Sequence, residues 1–305
     1  MTEVWRRLAE SLGDRLIFEA PLRDLTTFRV GGAARLLALP NEIVELQAVL
    51  AAARGENLPV AVLGGGSNIL FDDAGFNGLV IKLGPGFTGL EGDGPLIRAG
   101  AAAASTDLLA WAIARDLSGL ECLAGLPGSV GGALAGNAGA GPEGLGRTVT
   151  RLFILDEAGH GRTLKAEDLD FSYRRLSGLP RGAVILWAEF ALNPRPAGEI
   201  RAFLEEFRKR RRLQPAGGRS AGCVFKNPPD HSAGRLIDEC GFKGQRIGGA
   251  RVSEAHANFI LAEDGATAGD ILALIDRVRR GVSERYGLDL EMELKVFGPG
   301  GEVRG

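Results

Sequence analysis

The sequence predicts an α+β protein, with a glycine-rich ligand-binding part running to about residue 195 and a smaller mixed part after it. Three observations carry this expectation. Segments with helical spacing alternate with short apolar or β-branched runs along the whole chain. Glycine is concentrated in two separated clusters. The stretch Asn193-Pro194-Arg195-Pro196 interrupts the chain, because two prolines one residue apart stop both helix and strand pairing.

The elements follow in order. Ile43, Leu46 and Leu50 recur at helical spacing in EIVELQAVLAAAR, with Asn41 as the expected N-cap. Val60 to Leu63 is a short apolar run that reads as a buried strand leading into the first glycine cluster. LVIKL (79–83) and LIRAG (96–100) read as further strands. Ser105 to Leu117 reads as a helix with Thr106 as cap and Leu108, Leu109, Ala112 and Ile113 inward. RLFILD (151–156) and VILWAEFAL (184–192) carry the β-branched and aromatic residues of strands. Beyond the proline break, Ile200, Phe203, Leu204 and Phe207 form one face of a helix that stops before Pro215. A later helix spans Thr267 to about Arg285, with Ile271, Leu274, Ile275, Val278 and Val282 inward. Finally, Leu290, Met292, Leu294 and Val296 alternate with Glu291, Glu293 and Lys295, the pattern of a half-buried strand.

The glycine clusters are the main functional signal. The first is Gly64-Gly65-Gly66-Ser67-Asn68, and in the second, nine of the 22 residues from Gly125 to Gly146 are glycine. Each ordered glycine loses more backbone entropy than any other residue. What it allows in return is close approach: without a Cβ, main-chain N–H groups can press against a ligand and point at its anionic atoms. Two separated clusters point to a ligand long enough to touch both, such as a dinucleotide; the alternative is a pair of tight turns between strands.

Composition narrows the function classes. The 305 residues are 45% apolar and 24% charged, with a net charge of −2, so global electrostatics favour neither nucleic acid nor an anionic membrane. No apolar run approaches the ~20 residues of a membrane span, and the N-terminus lacks a signal-peptide core. A cytoplasmic protein is expected. Cys122, Cys223 and Cys240 are scattered, and His160, His231 and His256 sit at no metal-ligand spacing, so neither a disulfide framework nor a structural metal is expected. Gly139 to Gly144 matches G-x-G-x-x-G by letter, but no strand precedes it and no helix follows, so a Rossmann reading is rejected. The RKRRR run at 208–212 reads as a solvated helix end, or as the source of one arginine for a ligand diphosphate.

Six motifs occur in fixed order over roughly residues 20 to 298: GGGSNIL (64–70), GLPGSVGGALAGNAGA (125–140), FSYR (171–174), AGCVFKNP (221–228), HANFIL (256–261) and LEMELKVFG (290–298). Together they resemble the UDP-N-acetylenolpyruvoylglucosamine reductase family, flavoenzymes that complete UDP-N-acetylmuramate for bacterial cell-wall synthesis. The resemblance implies a two-lobed FAD-binding region of vanillyl-alcohol-oxidase type plus a smaller α+β substrate-binding domain. Its implied boundaries are an N-terminal extension (1–20), lobes at 21–83 and 84–196, a substrate domain at 197–298 and a tail at 299–305. It implies FAD held by Gly64, Gly65, Gly66, Ser67 and Asn68 and by Pro127, Gly128, Ser129, Gly132 and Asn137, with NADPH as hydride donor.

Three catalytic positions carry over by the same resemblance. Arg174 is matched to the arginine that holds the enolpyruvyl carboxylate, where a planar guanidinium can hold both oxygens as enolate charge builds. Glu293 is matched to an acid that stabilises the enol. Cys223 stands where the family usually has serine as proton donor; a thiol, with a reference pKa near 8.5, yields its proton more readily than a hydroxyl. Tyr173, Lys226, Asn227 and Asn258 are expected to line the substrate cleft. One type in the family closes a loop tyrosine over the substrate. Here 49 positions separate Arg174 from Cys223 and no tyrosine lies between them, so the chain resembles the shorter type, and Arg211 or Arg212 is expected to neutralise the substrate diphosphate. The implied reaction takes UDP-N-acetylglucosamine enolpyruvate as substrate, with no obligate protein partner. The rival readings are a flavin-dependent alcohol oxidase or dehydrogenase of the same fold and a non-catalytic flavin or nucleotide-sugar binder.

Overall fold

The computed structural model describes residues 2–139, 144–211, 215 and 218–305. The chain divides into two compact units. One comprises Met1–Phe18, Leu36–Gly65 and Leu79–Lys209; the other comprises Glu19–Arg35, Gly66–Gly78 and Arg210–Gly305.

The first unit is built on a five-stranded sheet in the order Gly161–Lys165, Val149–Leu155, Val184–Ala191, Leu96–Gly100, Leu90–Glu91. Every pairing in it is antiparallel. The helix Ser105–Ile113 buries Leu108, Leu109, Ala112 and Ile113 in a core shared with Leu152, Ile154, Ala188 and Phe190. A second core of this unit packs Trp5 and Leu12 with Leu46, Val49 and Leu50 of the helix Ile43–Gly55. A four-stranded sheet runs Leu16–Pro21, Ala33–Ala38, Phe76–Ile81, Val60–Val62, and the chain passes between the two units within the first three of these strands. Val60–Val62 lies parallel to Leu79–Ile81.

The second unit has its own core, in which Ile271, Leu274, Ile275, Val278 and Val282 of the helix Ala268–Tyr286 meet Val224, Phe225, Val252 and Ile260. This is the face that the 3.6-residue period predicts. The helix start is heavily fixed. Thr267 and Asp270 form a capping box, and the Asp73 carboxylate accepts from the amides of Ala268 and Gly269, each at 2.8 Å. Lys295–Phe297 lies parallel to Ile69–Phe71 on one side and antiparallel to Val303–Arg304 on the other.

Four local expectations are corrected. The helix at 43 is capped by Glu42, which forms a capping box with Glu45, so Asn41 is not the cap and Ile43 stays 41% exposed. Thr106 does not cap its helix, which begins at Ser105 after Ala104 and ends at Ile113. Phe203 is 49% exposed although Ile200 and Leu204 are buried, so the inward stripe of that helix is narrower than the spacing implied. The run 290–296 keeps its alternation of burial at Leu290, Leu294 and Val296, but ladder pairing is confined to Lys295–Phe297. Its earlier part is held by one bridge, Phe225 to Met292, and by single main-chain bonds.

Candidate functional site

In the first unit the two glycine clusters line one cavity of about 390 Å³, together with Val62, Lys82, Leu83, Ala101, Ala102 and Ile185. The expected buried strand at 60–63 is therefore only half right: Val62 is 40% exposed and forms part of the cavity wall. The clusters touch through their backbones. A Cβ on Gly65 would lie 2.5 Å from the Gly128 Cα, and one on Gly64 would lie 2.5 Å from the Ser129 Oγ. The Gly128 Cα is a backbone atom, so glycine is a steric requirement at Gly65, whereas at Gly64 the close atom is a side-chain oxygen that can rotate away.

Main-chain hydrogen bonding shows what the cavity can hold. The amides of Val130 and Gly131 are spent on Ala103 and Ala101, and the Gly132 amide donates to the Ser129 hydroxyl. The amides of Gly64, Gly65, Gly128 and Ser129 have no acceptor among the described residues. Main-chain donors rarely stay unpaired unless solvent or a ligand takes them. Four such donors where two glycine bends meet form a cradle for anionic oxygens, and Lys82 is among the residues that line the same cavity. These residues fit a flavin dinucleotide diphosphate. Ala101, Ala102, Ala104 and Lys82, which line the cavity, were not read from sequence as ligand-lining. The signals were there: an alanine run beside a strand, and one lysine in the apolar segment LVIKL.

Arg174 stands in the two-residue turn between the antiparallel strands Asp170–Ser172 and Arg175–Ser177. Its φ is +57°, a left-handed conformation that is unusual outside glycine. Its Nη1 donates to the Gly139 carbonyl at 2.8 Å, and its guanidinium lies 5.2 Å from the Tyr173 ring, which is 40% exposed.

In the second unit the segments that carry Cys223 and Glu293 run next to each other: the Glu293 amide donates to the Val224 carbonyl at 2.8 Å, and the Asn68 Nδ2 donates to the Glu293 carbonyl at 3.0 Å. Asn68 thus braces the segment that carries Glu293. Cys223 itself is half-buried and bridges Phe259.

Several residues expected at ligands also make bonds within the protein. Asn258 is 3% exposed, and both ends of its amide are used on Phe225: Oδ1 accepts from the amide at 2.9 Å and Nδ2 donates to the carbonyl at 2.8 Å. It holds the Cys223 segment in place rather than facing a cleft. Asn137, expected at the cofactor, is buried and bonded to Gly146 and Ser172. The Asn227 Oδ1 accepts from the Ala233 amide at 3.0 Å, and Lys226 pairs with Glu291. Arg212 lies outside the described residues, as does the side chain of Arg211.

His256, two residues before Asn258, accepts the Asn258 amide on Nδ1 at 3.2 Å and packs edge-on to Phe259. Burial pushes this imidazole below its ordinary value, and the nearby Lys243 charge adds to the effect. Because the folded form holds its proton more weakly, stability is full above the unfolded value near 6.5 and is lost as pH falls below it through the folded value. Protonation would also remove the acceptor for the Asn258 amide. We expect the melting temperature to fall on going from about pH 7.5 to about pH 5.5, and His256→Asn to lose less over the same interval. Equal losses in both proteins would exclude His256 as the titrating group.

Residues 34–164 match the model of an FAD binding domain, and residues 214–297 match that of the UDP-N-acetylenolpyruvoylglucosamine reductase C-terminal domain. The chain is 40% identical over 301 residues to the UDP-N-acetylenolpyruvoylglucosamine reductase of Moorella thermoacetica, covering 98% of this chain and 99% of that protein. It is 42% identical over 296 residues to the corresponding enzyme of Anaeromyxobacter dehalogenans, covering 96% and 89%. Among solved structures, the UDP-N-acetylenolpyruvylglucosamine reductase of Thermus caldophilus superposes with a TM-score of 0.80 at 37% identity, covering 92% of this chain and 97% of that one.

Proposed function

We propose, from the premise that this chain belongs to the UDP-N-acetylenolpyruvoylglucosamine reductase family, which of its own residues carry the family's reaction and how. The chain is an FAD-dependent oxidoreductase of peptidoglycan precursor synthesis that reduces the enolpyruvyl double bond of a UDP-sugar. Redox chemistry, with hydride taken from NADPH and given to the terminal enolpyruvyl carbon, is what FAD supplies when bound. Everything else falls to the protein.

The cradle of Gly64, Gly65, Gly128 and Ser129 amides holds the cofactor diphosphate, and Lys82 adds a positive charge. Arg174 holds the substrate carboxylate, on which negative charge builds as the double bond is reduced. Glu293, on the segment next to that of Cys223, stabilises the enol. The Cys223 Sγ–H gives its proton to the carbon next to the carboxylate, and the thiolate recovers a proton from solvent. Tyr173 and Lys226 contribute to substrate binding, with Arg211 or Arg212 as the source of charge for the UDP diphosphate. The matched models at 34–164 and 214–297 support an FAD region followed by a substrate domain, for which the proposed bounds are 21–196, in lobes meeting near residue 83, and 197–298. The proposed setting is the cytoplasm, with small-molecule substrates, no nucleic acid and no obligate protein partner; no helix among the described residues is long and apolar enough to cross a membrane.

One observation carries this reading: four unspent main-chain donors where two glycine bends meet, in a family match that spans the chain. The purified protein should be yellow, bleach under anaerobic NADPH, and recolour on adding the enolpyruvyl sugar. Bleaching without recolouring would reject the reductase assignment of these residues. Oxygen consumption without NADPH oxidation would point to an alcohol oxidase, and a colour that neither substrate changes would point to a non-catalytic binder.

A further inference from the structure

Asn137 lies in the second glycine cluster, where family resemblance makes it a cofactor contact. Its geometry points elsewhere. The residue is 5% exposed and adopts a φ of +38°. Its Oδ1 accepts from the Gly146 amide at 2.9 Å, and its Nδ2 donates to the Ser172 carbonyl at 2.8 Å. Two residues further along each segment, the Arg174 Nη1 donates to the Gly139 carbonyl at 2.8 Å. Residues 137–139 and 172–174 are therefore laced together by one side-chain bond in each direction. Gly146 completes the dock, since a Cβ there would lie 2.2 Å from the Phe171 ring.

The hairpin so anchored is short. Only Asp170–Ser172 and Arg175–Ser177 pair, three residues on each strand, with no fully buried side chain among them. Two-stranded hairpins of this size are not stable alone. Its turn residue Arg174 is held in a left-handed conformation, which persists only where the surroundings over-determine it. The Asn137 amide is the polar tie that fixes the strand entering that turn.

We propose that Asn137 is a positioning residue for Arg174: it sets the direction of the guanidinium by pinning the Ser172 carbonyl to the glycine cluster. This rests on the reading that Arg174 holds the substrate carboxylate. The residue type follows from the geometry. The position needs a donor and an acceptor on one short side chain, together with tolerance of positive φ, and asparagine supplies all three. Aspartate keeps the shape and the acceptor but loses the donor, setting a carboxylate against the Ser172 carbonyl.

The test separates the two half-reactions by stopped flow on the flavin-loaded enzyme. Asn137→Asp should keep its flavin content and its rate of bleaching by NADPH. Recolouring by the enolpyruvyl sugar should slow by ~10-fold or more, the scale of a small misplacement of a reacting group. Asn137→Gly, which tolerates the left-handed backbone but lacks the amide, is the second variant should the first fail to fold, and the same result is expected. Arg174→Lys is run in parallel. If Arg174→Lys recolours normally, the reading of Arg174 is wrong, whatever Asn137 does. If Arg174→Lys is slow and the Asn137 variants are normal, the positioning role is wrong. Combining Asn137→Asp with Arg174→Lys should slow recolouring no further than Arg174→Lys alone, because the first change acts through the second residue. Additive losses, or loss of flavin from either Asn137 variant, would overturn the proposal; loss of flavin would restore Asn137 as a cofactor contact.

Discussion

Cys223→Ala should bleach with NADPH at the native rate and then recolour ~10²-fold more slowly, or worse, when given the enolpyruvyl sugar. That factor corresponds to about 2.7 kcal/mol of lost transition-state stabilisation. The argument is local. The Cys223 segment is fixed by the Asn258 amide on Phe225 and by the Glu293 amide on the Val224 carbonyl, so truncation at Cβ removes the proton donor without freeing its support. Cys223→Ser should retain substantial activity, because a hydroxyl at the same position can still donate. Cys122→Ser is the control. Burial pushes the Cys122 thiol up to about 11, and it packs partly buried against the core that holds Leu123. Normal recolouring in Cys223→Ala would remove Cys223 from the donor role. Glu293→Gln should likewise spare bleaching; a variant unable to take electrons from NADPH would count against the enol-stabilising role.

Gly65→Ala should yield protein that folds but leaves purification with little flavin, its FAD affinity reduced ~10²-fold or more. The added Cβ would meet the Gly128 Cα at 2.5 Å and its carbonyl carbon at 3.3 Å. Both are backbone atoms of the opposite bend, so neither can rotate away. The bends must part, and the four amides stop converging. Gly55→Ala is the control, since nothing lies within 4 Å of a Cβ there. The ratio of flavin to protein absorbance reports occupancy, and titration of the apoprotein with FAD gives the affinity. Native affinity in Gly65→Ala would mean that the glycine contact is a turn requirement only, and the cradle would lose its main support.

Much of the molecule is legible in its residue pattern. The helix Ala268–Tyr286 matches its expected face residue for residue, because a long apolar stripe at 3.6-residue spacing has one way to be buried. The strands at 96–100, 151–155 and 184–191 follow from β-branched and aromatic runs. Helix caps are less legible. Asn41 and Thr106 have the right chemistry, but Glu42 finds a reciprocal partner in Glu45, and the cap position of the other helix falls on Ala104, two residues before Thr106. Phe203 has the right spacing for burial yet stays half outside.

The asparagines mark a limit of residue type as a guide. Asn68, Asn137, Asn227 and Asn258 all lie in motifs that suggest ligand contact. In the folded chain each of the four amides makes a bond within the protein, to Glu293, to Gly146 and Ser172, to Ala233 and to Phe225 respectively, and those of Asn137 and Asn258 are buried. An amide carries the same donors and acceptor whether it faces a sugar or a carbonyl, so its letter and neighbours do not say which.

The amino-acid order alone determined the fold class, the family and the presence of two glycine bends, because these depend on residue type and spacing along the chain. Only folding decided that the Gly65 and Gly128 backbones meet, that main-chain bonds set the segment of Glu293 next to that of Cys223, and that the Asn137 amide bonds to the hairpin of Arg174. Those outcomes join residues tens of positions apart, and the close packing that selects them is a property of three-dimensional neighbours.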